Sequence, residues 1–251
     1  MIHHTFLFLE KIRKRKEQTI WAQHIKDWPT FLNTKTIRGI ASKTKSYYDR
    51  QLKQAHLALK DDNSSYFSSK LPATELWRLY HYFKENAGYL DIEINSSGKV
   101  ILVGIHDGNT NTNFFIRGAN LETSLLEKEL QKYKLLITFN GAAFDVPKLK
   151  KQLNLNLTIP HIDLKPLCIK LNLRGGLKEI EHTLNLKRPS HLYGNPVDLW
   201  KAFHASGDRE YLQLLLDYNR EDCENLQRIM DYCYTHLSTS LTKNLNIKPS
   251  L

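Results

Sequence analysis

Residues 89–117, YLDIEINSSGKVILVGIHDGNTNTNFFIR, contain three short apolar runs separated by two turn-forming segments. The runs at 89–94, 100–106 and 113–117 are rich in β-branched and aromatic residues. Between them, NSSGK and DGNTNT supply the Gly, Asn, Asp and Ser that tight turns use. This pattern predicts an antiparallel meander of three strands.

Helices and further strands are predicted after the meander. A Glu/Lys-rich helical segment precedes the apolar run LLITF at 135–139, and DVPKLKKQL at 145–153 again has helical spacing. HIDL at 161–164 follows, and the remaining chain is mostly helical, with a last long helix from about 208 to 235. The order of three strands, helix, strand, helix, strand and helices predicts an α/β fold with a mixed sheet flanked by helices.

Four carboxylates occur at three places in these elements. Asp91 and Glu93 are two apart in the first strand, so both side chains point to the same face of the sheet, where like charges repel and favour a metal ion. Asp145 follows the run at 135–139, and Asp222 lies in the last helix with Tyr218 one turn before it. Together they predict an oxygen-rich cage for two Mg²⁺ or Mn²⁺ ions.

Ordinary structural roles are the alternatives at each place. Asp91 and Glu93 could pair with lysines at a sheet edge, and Asp145 could be a helix N-cap. Tyr218 and Asp222 could be an ordinary pair on a helix surface.

Several neighbouring residues have less specific signals. Asn140 could contact substrate, and Phe144 either contacts substrate or packs into the core. Lys178, after Gly175 and Gly176, could bind a substrate phosphate at a helix start. The pattern favours a supporting role over metal ligation for two further residues, His161 and Asp163.

The stretch SHLYGNPVDLW at 190–200 contains three residues with planar rings, His191, Tyr193 and Trp200. Planar side chains can stack on the bases of a single strand. We therefore consider a stacking wall as one hypothesis for this stretch.

Positive charge is concentrated at the N-terminus. The chain has a net charge of +10, and residues 1–60 hold 13 Lys or Arg against 4 Asp or Glu. This asymmetry is typical of a phosphate-binding segment beside a near-neutral catalytic domain, although a solvated basic face would look the same. The Ser- and Asn-rich stretch KDDNSSYFSSKLP at 60–72 predicts a linker. We therefore expect a basic helical domain at 1–70 and an α/β domain at 71–251.

The composition excludes other classes of protein. With 251 residues and 41% hydrophobic content the chain can bury a substantial core. Its three cysteines lack the spacing of a disulfide framework or a zinc site, and no apolar run is long enough for a signal peptide or a membrane span. We expect a cytoplasmic protein without membrane contacts.

The motifs resemble those of the DEDDy class of 3′-to-5′ exonucleases in the ribonuclease H-like superfamily. Asp91 and Glu93 match the first motif, Asn140 to Asp145 the second, and Tyr218 to Asp222 the third, in the order that the class has them. Each motif is weak alone, and their joint order is specific. The arrangement looks closest to the YprB-like predicted nucleases.

The resemblance implies a role for each residue. Asp91, Glu93 and Asp222 would hold a first metal ion, Asp91 would also bind a second, and Asp145 would act through water or that second ion. Tyr218 would orient the attacking water. It also implies a substrate, single-stranded DNA or RNA or a strand with a 3′ end.

The N-terminal region resembles a degenerate helix-hairpin-helix. Leu9, 11–13 (KIR), and 24–25 (HI) occupy positions where such domains carry an apolar residue, a Gly-Ile-Gly turn and a Gly-Ile pair, so three glycines are replaced. A second candidate hairpin, RGIASK at 38–43, keeps Gly39. The replacements favour basic side chains over backbone amides as phosphate contacts.

The sequence is compatible with three functions. The first is a metal-dependent 3′-to-5′ exonuclease. The second is an inactive nucleic-acid-binding protein with a nuclease fold, and the third is an endonuclease of the same fold. The sequence does not separate DNA from RNA.

Overall fold

A computed structural model of the chain describes residues 1–192 and 194–247. Its strands are β1 (Ala87–Ile94), β2 (Val100–His106), β3 (Thr112–Ile116), β4 (Leu135–Thr138) and β5 (His161–Asp163). They form one sheet in the order β3-β2-β1-β4-β5. The first three strands pair antiparallel, whereas β1 with β4 and β4 with β5 pair parallel. The predicted meander and the α/β class with a mixed sheet are confirmed.

Helices surround this sheet and form the N-terminal region. The α-helices are α1 (Lys14–Trp21), α2 (Trp28–Asn33), α3 (Ser42–Lys60), α4 (Ser65–Ser68), α5 (Tyr80–Phe83), α6 (Thr123–Leu130), α7 (Asp145–Leu153), α8 (Leu164–Lys170), α9 (Leu177–Thr183), α10 (Pro196–Ser206) and α11 (Arg209–Leu245). Short 3-10 helices occupy Ile2–His4, Ala73–Leu79 and Lys84–Asn86. The helical character predicted for residues 1–60 is confirmed.

The last helix is longer than the sequence pattern predicts. We expected it to end near 235, but α11 continues to Leu245. Leu237 and Leu245 are buried on this extension, so apolar packing supports the extra turns. Asn246 then ends the helix in a left-handed conformation with φ of 50°.

The two faces of the sheet pack against different helices. Leu90 and Ile92 of β1 share one core with Leu126 of α6 and Leu149 of α7. Tyr89, which points the other way, belongs to a second core with residues of α8 and α11. The fold is therefore a sheet between two helical layers, and α11 lies on the face opposite α6 and α7.

The N-terminal helices share their core with the sheet. The cluster of buried apolar residues that includes Tyr89 also includes Phe6 and Trp28, and it reaches Leu237 of α11. A salt bridge of 3.1 Å joins Lys14 of α1 to Glu75, beyond the predicted linker. The division into domains at residue 70 stays a prediction, since apolar packing crosses that position.

Two positions of the degenerate hairpin keep the backbone of a glycine. Lys11 and His24 both have a φ of 63°, in the left-handed region that favours glycine. Gly39 in the second candidate hairpin has a φ of 83°. The backbone is therefore left-handed at positions 11 and 24 although neither residue is a glycine.

Replacement of Trp28 by alanine tests the shared core. Trp28 is 1% exposed, and its Nε1 donates a hydrogen bond of 2.7 Å to the Thr5 carbonyl oxygen. We expect Trp28→Ala to lower the free energy of unfolding by about 3–5 kcal/mol. If residues 1–70 and the sheet unfold as one cooperative unit, this loss of stability should also accelerate hydrogen exchange of the β1 and β4 amides.

Leu57→Ala is the matched control, because Leu57 on α3 is 55% exposed and its truncation should change stability little. Unchanged exchange in β1 and β4 of Trp28→Ala would instead show that residues 1–70 unfold independently.

Candidate active site

Strand β1 presents two acids to α11. Asp91 and Glu93 alternate with Leu90 and Ile92, whose side chains pack on the opposite face. Asn219 of α11 donates a hydrogen bond of 2.8 Å from Nδ2 to Asp91 Oδ2, which fixes that carboxylate against the helix. The central strand β1 therefore places these acids on the face of the sheet that packs against α11.

Asp222 completes a cluster of three carboxylates. It is buried on α11, and one oxygen from each of Asp91, Glu93 and Asp222 lies within 4.8 Å of the other two. Hard carboxylate oxygens in this arrangement suit Mg²⁺ or Mn²⁺. Three of the four acids selected from the sequence are thus brought together, and the proposed lysine pairing of Asp91 and Glu93 at a sheet edge is wrong because β1 is central.

Asp145 lies beside this cluster. It is the buried first residue of α7, and its negative charge raises the pKa of both Asp91 and Glu93. It stands outside the group whose oxygens lie within 4.8 Å. This position agrees with an indirect role, through water or a second ion.

All four carboxyl groups have raised pKa values. Burial is the main cause in each case, and it raises the pKa of Glu93 to about 8, of Asp145 to about 7 and of Asp222 to about 6. The pKa of Asp91 is raised further above its ordinary value, by burial and then by Asp222 and Glu93. Nearby positive charge from Arg188 and Lys178 offsets only part of this effect, and a divalent cation would supply more.

Tyr218 lies one helical turn before Asp222. Lys178 Nζ sits 4.7 Å from the centroid of its ring, so the Lys178 side chain, predicted to bind substrate, reaches this cluster. Burial raises the pKa of the Tyr218 hydroxyl, and the charges of Asp222 and Glu93 raise it further. Tyr218 is therefore a neutral phenol at neutral pH. A role as an ordinary surface pair is excluded, because Tyr218 and Asp222 are both buried.

Asp163 holds the loop that leads to Asp145. Its carboxylate accepts hydrogen bonds from the amides of Asn140 at 2.8 Å and Ala142 at 3.1 Å. Asn140 turns the chain with a φ of 61°. His161 Nε2 lies 2.8 Å from Thr138 Oγ1. His161 and Asp163 thus have the supporting contacts that the sequence favoured.

Phe144 is on the surface. It is 38% exposed, and Lys148 Nζ lies 4.8 Å from its ring centroid. Packing into the core, one of its two predicted roles, is wrong because the buried side of α7 is taken by Asp145 and Leu149. Its partly exposed ring is one residue before Asp145 in the chain.

The burial of Trp200 argues against the predicted stacking wall. Its side chain is 7% exposed and packs in an apolar cluster with Leu102 and Leu215. A base cannot stack on a ring enclosed in this way. Tyr193, the second member of the hypothesis, lies outside the described residues.

Arg188 and Glu181 belong to the site, although no sequence motif includes them. Arg188 Nε and Nη2 donate to the Glu181 carboxylate at 2.6 Å and 2.7 Å, and Nη2 also donates to Asp222 Oδ1. Arg188 is thus a cation beside the acids. No motif spacing connects its loop with α11, so only the fold reveals the contact.

Asn219 and Gly104 form a second pair that sequence reasoning missed. Gly104 of β2 lies opposite Asp91 in the sheet, and a Cβ at this position would come 1.8 Å from Asn219 Oδ1. A glycine inside an apolar strand often marks such a close approach, so VILVGIH contained a usable signal.

Comparison with known protein families identifies the class of this fold and site. The model of a family described as RNase H superfamily matches residues 88–234, more than half of the chain. The chain therefore belongs to the RNase H superfamily, which together with the acidic cluster indicates a metal-dependent nuclease that acts on nucleic acid. Comparison with curated proteins and with solved structures found no match.

Two other expectations concern membranes and cysteines. In residues 1–192 and 194–247, no helix combines the length and apolar character that a bilayer span requires. Cys168, Cys223 and Cys233 are buried free thiols.

Gly104→Ala tests how β2 and α11 position Asp91. The added methyl group must displace Asn219, so we expect a loss of stability of about 1–3 kcal/mol and weaker Mn²⁺ binding. Urea unfolding and calorimetric Mn²⁺ titration measure the two effects.

The double variant Gly104→Ala with Asn219→Ala is the control. It removes the collision, so stability should partly return while Mn²⁺ binding stays weak, because Asp91 has lost its hydrogen bond. Equal loss of stability in the single and double variants would contradict the assigned contact.

Proposed function

We propose that this protein is a divalent-metal-dependent 3′-to-5′ exonuclease of the DEDDy type. It hydrolyses phosphodiester bonds of single-stranded DNA or RNA and releases nucleotides from the 3′ end. The proposal rests on one observation, the oxygens of Asp91, Glu93 and Asp222 within 4.8 Å of one another with Tyr218 one turn away on the same helix.

The four acids divide between two ions. Asp91, Glu93 and Asp222 hold the first ion, and Asp91 together with Asp145 serves the second. When bound, the ions supply the positive charge that activates water and stabilises the leaving oxygen of a phosphodiester. The raised pKa values of these acids support the assignment, because each carboxylate gains a counter-charge when an ion binds.

Tyr218 orients the attacking water. A phenol with a raised pKa is a poor base at neutral pH, but its hydroxyl can donate a hydrogen bond or accept one. The charged groups of Lys178 and Arg188 lie 4.7 Å and 5.3 Å from the centroid of its ring. Two cations of the site therefore lie beside the ring that carries this hydroxyl.

Three residues near the acids contact the end of the strand. Lys178 meets a phosphate, since its charge already acts on Glu93 and Asp222. Phe144 stacks on a terminal base with its exposed ring. Asn140, in the turn that Asp163 holds, supplies a hydrogen-bonding side chain at the same loop.

The basic N-terminal region binds the strand beyond the active site. A pocket of about 390 Å³ beside the left-handed turn at Lys11 and the Gly39 turn is lined by five cations: Lys11, Arg13, Arg15, Lys16 and Arg38. In the described part of the chain its lining includes no acid. Clustered Lys and Arg side chains bind phosphates by releasing condensed counterions.

A labelled-strand assay with Asp91→Asn tests the function. We expect the wild-type protein with Mn²⁺ or Mg²⁺ to convert a 5′-labelled single strand into a stepwise ladder. Asp91→Asn should lower the rate by at least about 10²-fold, because it removes a ligand of both ions. Both DNA and RNA strands are supplied, and the faster one identifies the substrate.

Asp217→Asn is the matched control. Asp217 is on the same helix but pairs with Arg220, so its neutralisation should leave the rate unchanged. Cleavage of a circular single strand would identify an endonuclease instead. Strand binding without any metal-dependent cleavage would identify an inactive binding protein.

Alanine at Lys11, Arg13 and Arg15 tests the basic pocket. Each lost phosphate contact on a single strand should reduce the slope of log K against log salt by about 0.7, so affinity at low salt should fall. Fluorescence anisotropy over a salt series measures this.

Replacement of Lys60, Lys84 and Lys128 is the control, since these lysines are exposed and lie outside the pocket. Equal loss of affinity in both triple variants would mean that only net charge matters.

A further inference from the structure

Arg188 lies in the loop between α9 and α10 and reaches the acidic cluster through its guanidinium. We propose that Arg188 is a catalytic residue whose Nη1 group binds a nonbridging oxygen of the scissile phosphate. This inference rests on the proposed nuclease function and assigns one further residue to it.

A count of hydrogen-bond donors supports the proposal. A guanidinium has five N–H groups. Nε donates to Glu181 Oε2 at 2.6 Å, and Nη2 donates to Glu181 Oε1 at 2.7 Å and to Asp222 Oδ1. Nη1 is covered from solvent, although 17% of the Arg188 side chain is exposed, so a substrate must displace the covering groups to reach it; no residue in the described ranges accepts from it. Its two N–H groups therefore lack an acceptor, which is costly for a buried charged group.

The position of Arg188 indicates which acceptor is missing. Its guanidinium carbon lies 5.3 Å from the centroid of the Tyr218 ring, and Nη2 contacts a carboxylate of the metal cluster. The scissile phosphate must lie beside the metal ions and the water that Tyr218 orients. A phosphate oxygen is an anionic acceptor that suits a planar guanidinium.

Glu181 orients the guanidinium in advance. Glu181 is 2% exposed, and its carboxylate accepts hydrogen bonds from both Nε and Nη2 of Arg188. It accepts a further hydrogen bond of 3.0 Å from Asn225 Nδ2 of α11. A cation fixed in this way loses little side-chain entropy when substrate arrives. Glu181 is therefore a positioning residue for Arg188.

A simpler role for Arg188 is that of a counter-ion for two buried carboxylates. The two roles respond differently when the charges are removed in pairs. Neutralising Glu181 together with Arg188 abolishes the need for a counter-ion at Glu181, but it does not restore a donor to phosphate. The double variant therefore avoids leaving Glu181 as an unpaired buried carboxylate, and a bound Mn²⁺ ion would supply the counter-charge that Asp222 loses, so the two roles can be separated.

The test compares the wild-type protein, Arg188→Gln with Glu181→Gln, and Arg188→Lys. Single-turnover cleavage of a saturating 5′-labelled strand is measured with Mn²⁺, and Mn²⁺ affinity is measured by calorimetry without substrate. We expect the double variant to lose roughly 10²-fold in rate, comparable with loss of one preorganised donor, while its Mn²⁺ affinity is unchanged. Arg188→Lys keeps the charge but not the planar fork, so most of the rate should also be lost.

Arg220→Gln is the matched control. Arg220 is two residues before Asp222 on α11, but its charge pairs with Asp217 and its guanidinium lies over Phe114. Combined with Asp217→Asn, this substitution removes one ion pair without changing the net charge of the chain, as the double variant at Arg188 and Glu181 does. Its single-turnover rate should equal that of the wild-type protein.

Three results would overturn the proposal. A double variant as fast as the wild-type protein would make Arg188 a counter-ion only. A parallel loss of Mn²⁺ affinity would assign Arg188 to holding Asp222, and a fully active Arg188→Lys would remove the requirement for the fork. An inactive wild-type protein would contradict the nuclease function itself, which is a different outcome.

Discussion

Electrostatic repulsion among buried carboxylates is the constraint on which the site depends. Asp91, Glu93 and Asp222 converge where β1 meets α11, with Asp145 close by. Burial penalises each negative charge, and neighbouring acids add to the penalty, so the pKa values rise. Such a cluster stabilises nothing in the empty protein. A divalent cation bound between these carboxylates would offset this cost, and such a cation is what the metal-dependent nuclease indicated by the fold requires.

The scaffold holds these charges in place through contacts between elements that are distant in sequence. Asn219 donates to Asp91, and Gly104 leaves the space that the Asn219 amide occupies. Arg188 partly neutralises Asp222 while Glu181 fixes its orientation. A helix of 37 residues, α11, carries Tyr218, Asn219 and Asp222 within about one turn of one another. Within the proposed function, one helix thus supplies the water-orienting group, a support for β1 and a metal ligand.

The N-terminal region combines two properties in a short segment. Its apolar residues, among them Phe6 and Trp28, join the core that reaches α11, while its cations line a pocket at the surface. The left-handed backbone at Lys11 and His24 is normally favourable only for glycine, yet both positions carry basic or titratable side chains. Lys11 thus places a positive charge at a left-handed turn. Within the proposed function, the region therefore attracts phosphates through its basic side chains and not through close contacts with backbone amides.

Local pattern determined the strands, the α/β class and the identity of Asp91, Glu93, Asp145, Tyr218 and Asp222. Alternation along β1 and the helical spacing of Tyr218 and Asp222 are properties of neighbouring residues, so the sequence alone reveals them. The continuous core across residue 70, the exposure of Phe144, the burial of Trp200 and the contacts of Arg188, Glu181 and Asn219 needed the tertiary structure. The physical reason is that these features depend on which surfaces meet. Arg188 and Asp222 are 34 residues apart in the chain, and no local periodicity records that α11 and the loop after α9 pack together.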